Sequence, residues 1–193
     1  MSQPCLVRLK VALVLGSSPE SGGGFIYENA LVDRFLTDPR FRHIDFSLFF
    51  SHRRTRVIAP ISPDSRPTGD LATDHKLRVG GFRKFRKNQV YFSQAEDYFT
   101  GLGISIVYFA SPNTLAEHLR LLPFICTVWD LGHRDLPEFP EFRGKTWFAR
   151  EALFRDSLPR AYHVITDSEA TAKKITSFYG VQPGKIAAAG LVF

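Results

Sequence analysis

Short apolar runs alternate with helical stretches along most of this chain, and that alternation restricts the fold more than any other feature. "CLVRLKVALVLG" reads as a buried strand from about Val7 to Leu15, made of β-branched residues and Leu and ended by Gly16. Phe25, Ile26, Ala30, Leu31, Phe35 and Leu36 then recur near helical spacing until Pro39 closes the helix. "IDFSLFF", Ile44 to Phe50, is a second strand. "YFSQAEDYFTGLG" gives a short helix stopped by Gly101 and Gly103, and "ISIVYFA", Ile104 to Ala110, is a fully apolar strand. Ser111 to Asn113 starts a helix expected to end near Leu122, before Pro123. "FICTVWD" is a strand from Phe124 to about Trp129. "TWFAREALFRDSL" is a helix that stops before Pro159. "YHVITDS" is a strand, and "EATAKKITSFYG" is a helix with Asp167 or Ser168 as N-cap and Gly180 past its end. "KIAAAGLVF" is a last strand. About six apolar strands separated by helices predict an α/β chain: a Rossmann-like, doubly wound parallel sheet covered on both faces.

With 193 residues, 44% of them hydrophobic, the chain can bury one substantial core. No apolar run reaches the roughly 20 residues that span a bilayer. Met1 to Lys10 lacks the ordered regions of a signal peptide. Cys5 and Cys126 stand alone, without metal spacing or a disulfide framework, which suits a reducing cytoplasm. No metal and no cofactor is expected.

The net charge of +6 is unevenly placed. Ser51 to Lys87 holds ten basic and three acidic residues, whereas the rest of the chain holds fifteen basic and sixteen acidic. The segment from Ser51 to about Asn88 is also rich in Pro and Gly. It reads as an irregular basic insertion unable to supply a continuous core element. Arg83, Lys84, Arg86 and Lys87, interleaved with Phe82, Phe85, Tyr91 and Phe92, suit an anionic surface such as a membrane face. A solvated loop explains them as well. A third reading is a single-stranded nucleic-acid module, which mixes charge and aromatics in the same way. No strand carries an aromatic RNA-binding motif, so no nucleic acid is expected.

In an open parallel sheet, ligands collect beyond the carboxyl ends of the strands, and three loops there carry unusual residues. "SSPESGGGFIYENALVDRF" places Gly22, Gly23 and Gly24 between the first strand and the first helix, where free backbone amides can meet an anion. The spacing gives neither G-x-G-x-x-G nor a P-loop, which disfavours nicotinamide and P-loop enzymes. "TVWDLGHRDLPEFPEFRGK" carries Asp130 just past a strand, followed by His133 and Asp135. Asp130 can receive a sugar hydroxyl or cap the turn; His133 reads equally as a solvated loop residue. In "ITDSEA" the capping role explains Asp167 and Ser168, and Glu169 suits the helix dipole.

Taken in order, "GGGFIYENALVDRF", "TVWDLGHRDLPEFPEF" and "REALFRDSLPRAYHVITDSEATAKKITSFYGVQPGKIAAAG" resemble the N-terminal half of a GT-B glycosyltransferase of the retaining, glycogen-synthase-like group, glycosyltransferase family 4-like. The last stretch is the most specific, and Ser51 to Asn88 lies outside the resemblance. Trp129 stands where that family often has His, while Asp130 keeps the acidic half of the pair. The resemblance implies one half of a GT-B architecture, its C-terminal donor-binding domain lying outside this chain, with residues 1–193 inactive alone. It implies a nucleotide-sugar donor and a glycan or lipid-linked acceptor, with synthesis of polysaccharide or cell envelope at the cytoplasmic face. Gly22 to Gly24 would face the donor diphosphate, Asp130 would act in catalysis by binding or orienting the acceptor hydroxyl or transferred sugar, and Trp129 and His133 would contact acceptor or sugar. Two alternatives stand beside it: an anion- or nucleic-acid-binding module, and a GT-B nucleotide-sugar epimerase.

Overall fold

The first strand, β1 (Leu9–Leu15), is the line from which the sheet grows in both directions. The computed structural model describes residues 8–18, 22–52, 57–61, 77–78, 83–84 and 91–190. On one side of β1 lies β2 (Ile44–His52), and beyond it β3 (Val57–Pro60) and β4 (Leu77–Arg78). A two-residue hairpin, β5 (Arg83–Lys84) with β6 (Tyr91–Phe92), stands apart from the main sheet. On the other side of β1 lie β7 (Ile106–Phe109), β8 (Phe124–Val128), β9 (His163–Thr166) and β10 (Ile186–Ala188), in that order. The six strands from β10 to β2 are all parallel, whereas β3 and β4 run antiparallel at the far edge. Leu13 sits opposite Leu48 on one side and Tyr108 on the other. The result is the expected α/β architecture, a doubly wound Rossmann-like sheet.

Alternation along β1 divides the core into two. Val11, Leu13 and Leu15 face helix α1 (Gly23–Thr37), joined by Leu48, Phe50, Tyr108 and the buried Val32 of that helix. Phe35 of α1 stacks on Phe46 at 4.8 Å, adding a parallel aromatic pair to this layer. Ala12 and Val14 face the opposite layer. There they meet Phe99 of α2 (Gln94–Gly101), Leu153 and Phe154 of α4 (Lys145–Ser157), and Ile175 and Tyr179 of α5 (Glu169–Tyr179). A single turn, α3 (Gly132–Asp135), lies between β8 and α4.

Two expectations need correction. The segment from Ser51 to Asn88 is not wholly irregular: its Val57–Pro60 stretch pairs with β2 and lengthens the sheet. Its valine and isoleucine are ordinary strand formers, and Pro60 is tolerated at a strand end. The helix expected between Ser111 and Leu122 is only a five-residue 3₁₀ turn, Thr114–His118. Two side chains distant in sequence, the buried Glu96 and the partly exposed Arg160, take over backbone groups here. Glu96 Oε1 accepts from the amides of Arg120, Leu121 and Leu122 (2.9, 2.6 and 2.7 Å). Arg160 donates to the carbonyls of Ala116 and Leu119.

The caps follow expectation. Ser168 receives the Thr171 amide at the start of α5, and Gly180 ends that helix at φ 68°. Arg86, Lys87, Cys5 and the side chains of Arg83 and Lys84 lie outside the described part. Among the described residues no helix is long and apolar enough to cross a membrane.

Candidate functional site

The chain leaves β1 and β7 from adjacent positions but builds outward from them in opposite directions, which opens a crevice at the carboxyl ends of these strands. The first wall is the loop from β1 to α1. Gly22 adopts φ +60°, a conformation that L side chains rarely take, and its carbonyl accepts from Phe25 and Ile26 (3.1 and 3.2 Å). Helix α1 thus starts with no side-chain cap and no acidic residue in its first turn. Gly24 has a different reason to lack a side chain: a Cβ there would lie 2.6 Å from Trp129 Cη2 and 2.8 Å from Cζ3. A Cβ on Gly23 would meet open space.

One turn into α1, the buried Glu28 reaches back to the strand end. Its carboxylate accepts from the amides of Gly16 (3.0 Å) and Ser17 (3.0 Å). Burial pushes the Glu28 carboxyl above its ordinary range, against the opposing effect of its bonds from Gly16 and Ser17. The amides nearest the strand are therefore already engaged. Among the described residues, the amides of Gly23 and Gly24 open α1 without a side-chain cap.

The second wall leaves β8. Trp129 packs against Gly24 and takes the ring of Tyr27 edge-on at 6.0 Å. Asp130 follows. Its Oδ1 accepts from the Gly132 amide at 2.6 Å and from Arg150 Nη2 at 2.8 Å. The same guanidinium nitrogen also donates to the Asp130 carbonyl, at 3.1 Å. The turn-capping role weighed for Asp130 is therefore present, yet 52% of its side chain stays exposed. Gly132 must be small, since a Cβ there would lie 2.7 Å from Phe142 and 3.0 Å from Asp130 Oδ1.

The third wall is α4, whose Thr146, Ala149, Arg150 and Leu153 share one face by their spacing. These residues, with Pro112 and Thr114 past β7 and with Trp129 and Asp130, line a cleft of about 410 Å³. That volume lies in the range of small-molecule sites. Trp129 and Asp130, singled out from sequence, are thus brought into one cavity, whereas Gly22, Gly23 and Gly24 border the crevice behind Trp129 and do not line that cavity.

His133 is not. Its side chain is 0% exposed and it does not line the cleft, so neither a solvated loop position nor a direct sugar contact describes it. Its Nε2 lies 3.2 Å from Glu151 Oε2, an arrangement that puts the ring proton on Nε2. Burial lowers its pKa, although the bond to Glu151 acts the other way. Glu151 also receives Arg134, the Tyr179 hydroxyl at 3.1 Å and Arg155 at 2.6 Å. Burial alone would raise the Glu151 carboxyl, but the bonds from Arg134, His133 and Tyr179 prevail and hold it at about 2. This network ties α3, α4 and α5 together behind the cleft. It fixes α3, whose first amide Asp130 caps, relative to α4, which carries Arg150.

Arg150 and Glu151 form the Arg-Glu pair of "FAREALF". From sequence neither had a site role, because the spacing alone does not say which side of the helix meets the cleft. No protein-family model matches this chain, and a search of curated proteins finds no match to it.

Proposed function

We propose that this chain is the acceptor-side domain of a glycosyltransferase that uses a nucleotide-sugar donor, with the acceptor saccharide in the Trp129–Asp130 cleft. The observation that supports this reading is the pairing of an indole and a partly exposed carboxylate in one cavity at the carboxyl edge of the sheet. The apolar face of a pyranose packs on an aromatic ring, and its hydroxyls donate to a carboxylate. Asp130 orients the acceptor hydroxyl, held in place by Arg150 and the Gly132 amide.

As the glycosidic bond to the donor breaks, negative charge grows on the departing diphosphate. In this reading the amides of Gly23 and Gly24, at the uncapped start of α1, stabilise that charge. A donor-binding domain would supply the opposite wall and exclude water on closure. The setting we propose is the cytoplasm, with the basic segment held against an anionic membrane face.

Saccharide binding tests the reading. Ligand-observed NMR with a panel of monosaccharides and short glycans is expected to show binding by wild type, and at least tenfold weaker binding by Trp129→Ala. Absence of any saccharide binding, or binding untouched by Trp129→Ala, rejects the proposal.

A further inference from the structure

Arg150 is the cation of the cleft, and its hydrogen-bonding capacity is only partly used. Both bonds to Asp130 come from Nη2. Nε and Nη1 have no protein acceptor among the described residues. The guanidinium lies 5.6 Å from the ring centres of both Phe142 and Phe154, which support the cation but accept no ordinary hydrogen bond. Its side chain is 21% exposed. Asp130 engages one terminal nitrogen of the fork and leaves the other two nitrogens without a bond from it. A planar fork with unused donors, at the wall of a cavity, suits an oxyanion. Thr146 on α4 and Thr114 past β7 bring hydroxyls to the same cavity.

We infer that the cleft selects an acidic saccharide, one carrying a carboxylate or phosphate, and that Arg150 reads that charge. This rests on the acceptor-cleft reading above and adds the substrate class to it. The sugar ring packs on Trp129 while the oxyanion takes the free donors of Arg150. A neutral sugar of the same shape leaves those donors unpaired and binds more weakly.

The test titrates the protein with glucuronate, glucose 6-phosphate, glucose and inorganic phosphate at constant ionic strength. At least one acidic sugar is expected to bind tenfold or more tighter than glucose, and tighter than inorganic phosphate. Glucuronate and glucose 6-phosphate distinguish carboxylate from phosphate. Arg150→Gln is expected to abolish the preference, and Arg150→Lys to restore part of it. Asp130→Asn, which removes the competing anion, is expected to keep the preference, so loss through a misplaced Asp130 is distinguished from loss of the charge itself. Equal affinity for glucose and both acids, or a preference that survives Arg150→Gln, overturns the inference and leaves the acceptor cleft standing. Inorganic phosphate binding as tightly as the sugars overturns it in favour of a bare anion site. No binding by any sugar removes the acceptor reading and this inference together.

Discussion

Three adjacent glycines where α1 begins stand under different constraints. Gly22 is set by its φ of +60°, Gly24 by the indole of Trp129, and Gly23 by neither. A substitution series separates them. Gly24→Ala drives a methyl into the Trp129 ring and is expected to cost roughly 1–3 kcal/mol. Gly23→Ala meets open space in a helical first turn and is expected to stabilise by up to about 1 kcal/mol. Urea denaturation reads both, and equal effects would sink the assignment. Glu151 gives a pH-dependent counterpart. Its carboxyl falls from the ordinary 4.5 to about 2 in the fold, so its stabilisation is complete above pH 4.5 and is lost as pH falls toward 2. Glu151→Gln leaves Arg134 and Arg155 without their carboxylate and is expected to cost about 3 kcal/mol at pH 7. That deficit should shrink steadily when stability is measured between pH 4.5 and pH 2. At this scale Trp129 and Asp130 were legible because they stand at a strand end. Arg150, Glu28 and Glu151 were not, because their roles depend on which way a helix turns its face.

Elements were legible where their stabilising groups are local. Strand β1 and helices α1 and α5 follow from apolar spacing, glycines and a serine cap within a few residues of each boundary. The stretch after β7 was not legible, because what shapes it is distant in sequence. Ser93 caps α2 and the next candidate partner, Glu96, looks like the second half of a capping box. Its carboxylate instead crosses to the amides of Arg120, Leu121 and Leu122, 24 to 26 residues on. With those amides held by a distant carboxylate, the chain bends through residues 120–122 before it enters β8. Glu96→Gln keeps one oxygen but loses the charge that three amides share. It is expected to destabilise by about 2–4 kcal/mol. Amide exchange should show the specific signature: protection lost first at 120–122, before the strands of the sheet. Uniform loss of protection over the molecule would contradict the capping role.

Across the whole molecule, the same alternation that predicts the parallel sheet also predicts where a ligand cleft opens, since both follow from strand order. The edge strands β3 and β4 escaped that reasoning, because they lie in a basic Pro- and Gly-rich segment with little periodicity. Coverage of the sheet is unequal. Helices α2, α4 and α5 pack on one layer, while among the described residues α1 is the helix that contributes to the other. β1 lies between two parallel neighbours with a buried layer on each side, and Ala12, Leu13 and Val14 are fully buried. Among the described residues β10 has β9 as its one partner in the sheet, and it holds no fully buried residue. Local opening should therefore require little energy at β10 and nearly the global unfolding energy at β1. Native-state hydrogen exchange tests this directly. Amides of β1 and β7 are expected to exchange only through global opening, with the full denaturant dependence. Those of β10 are expected to exchange through small openings that denaturant hardly affects. The cleft is built on β7, β8 and α4, so its framework belongs to the stable part and should hold its geometry while the sheet edge opens. Exchange at β10 as slow as at β1 would contradict this gradient and place the cleft and the edge in a single cooperative unit.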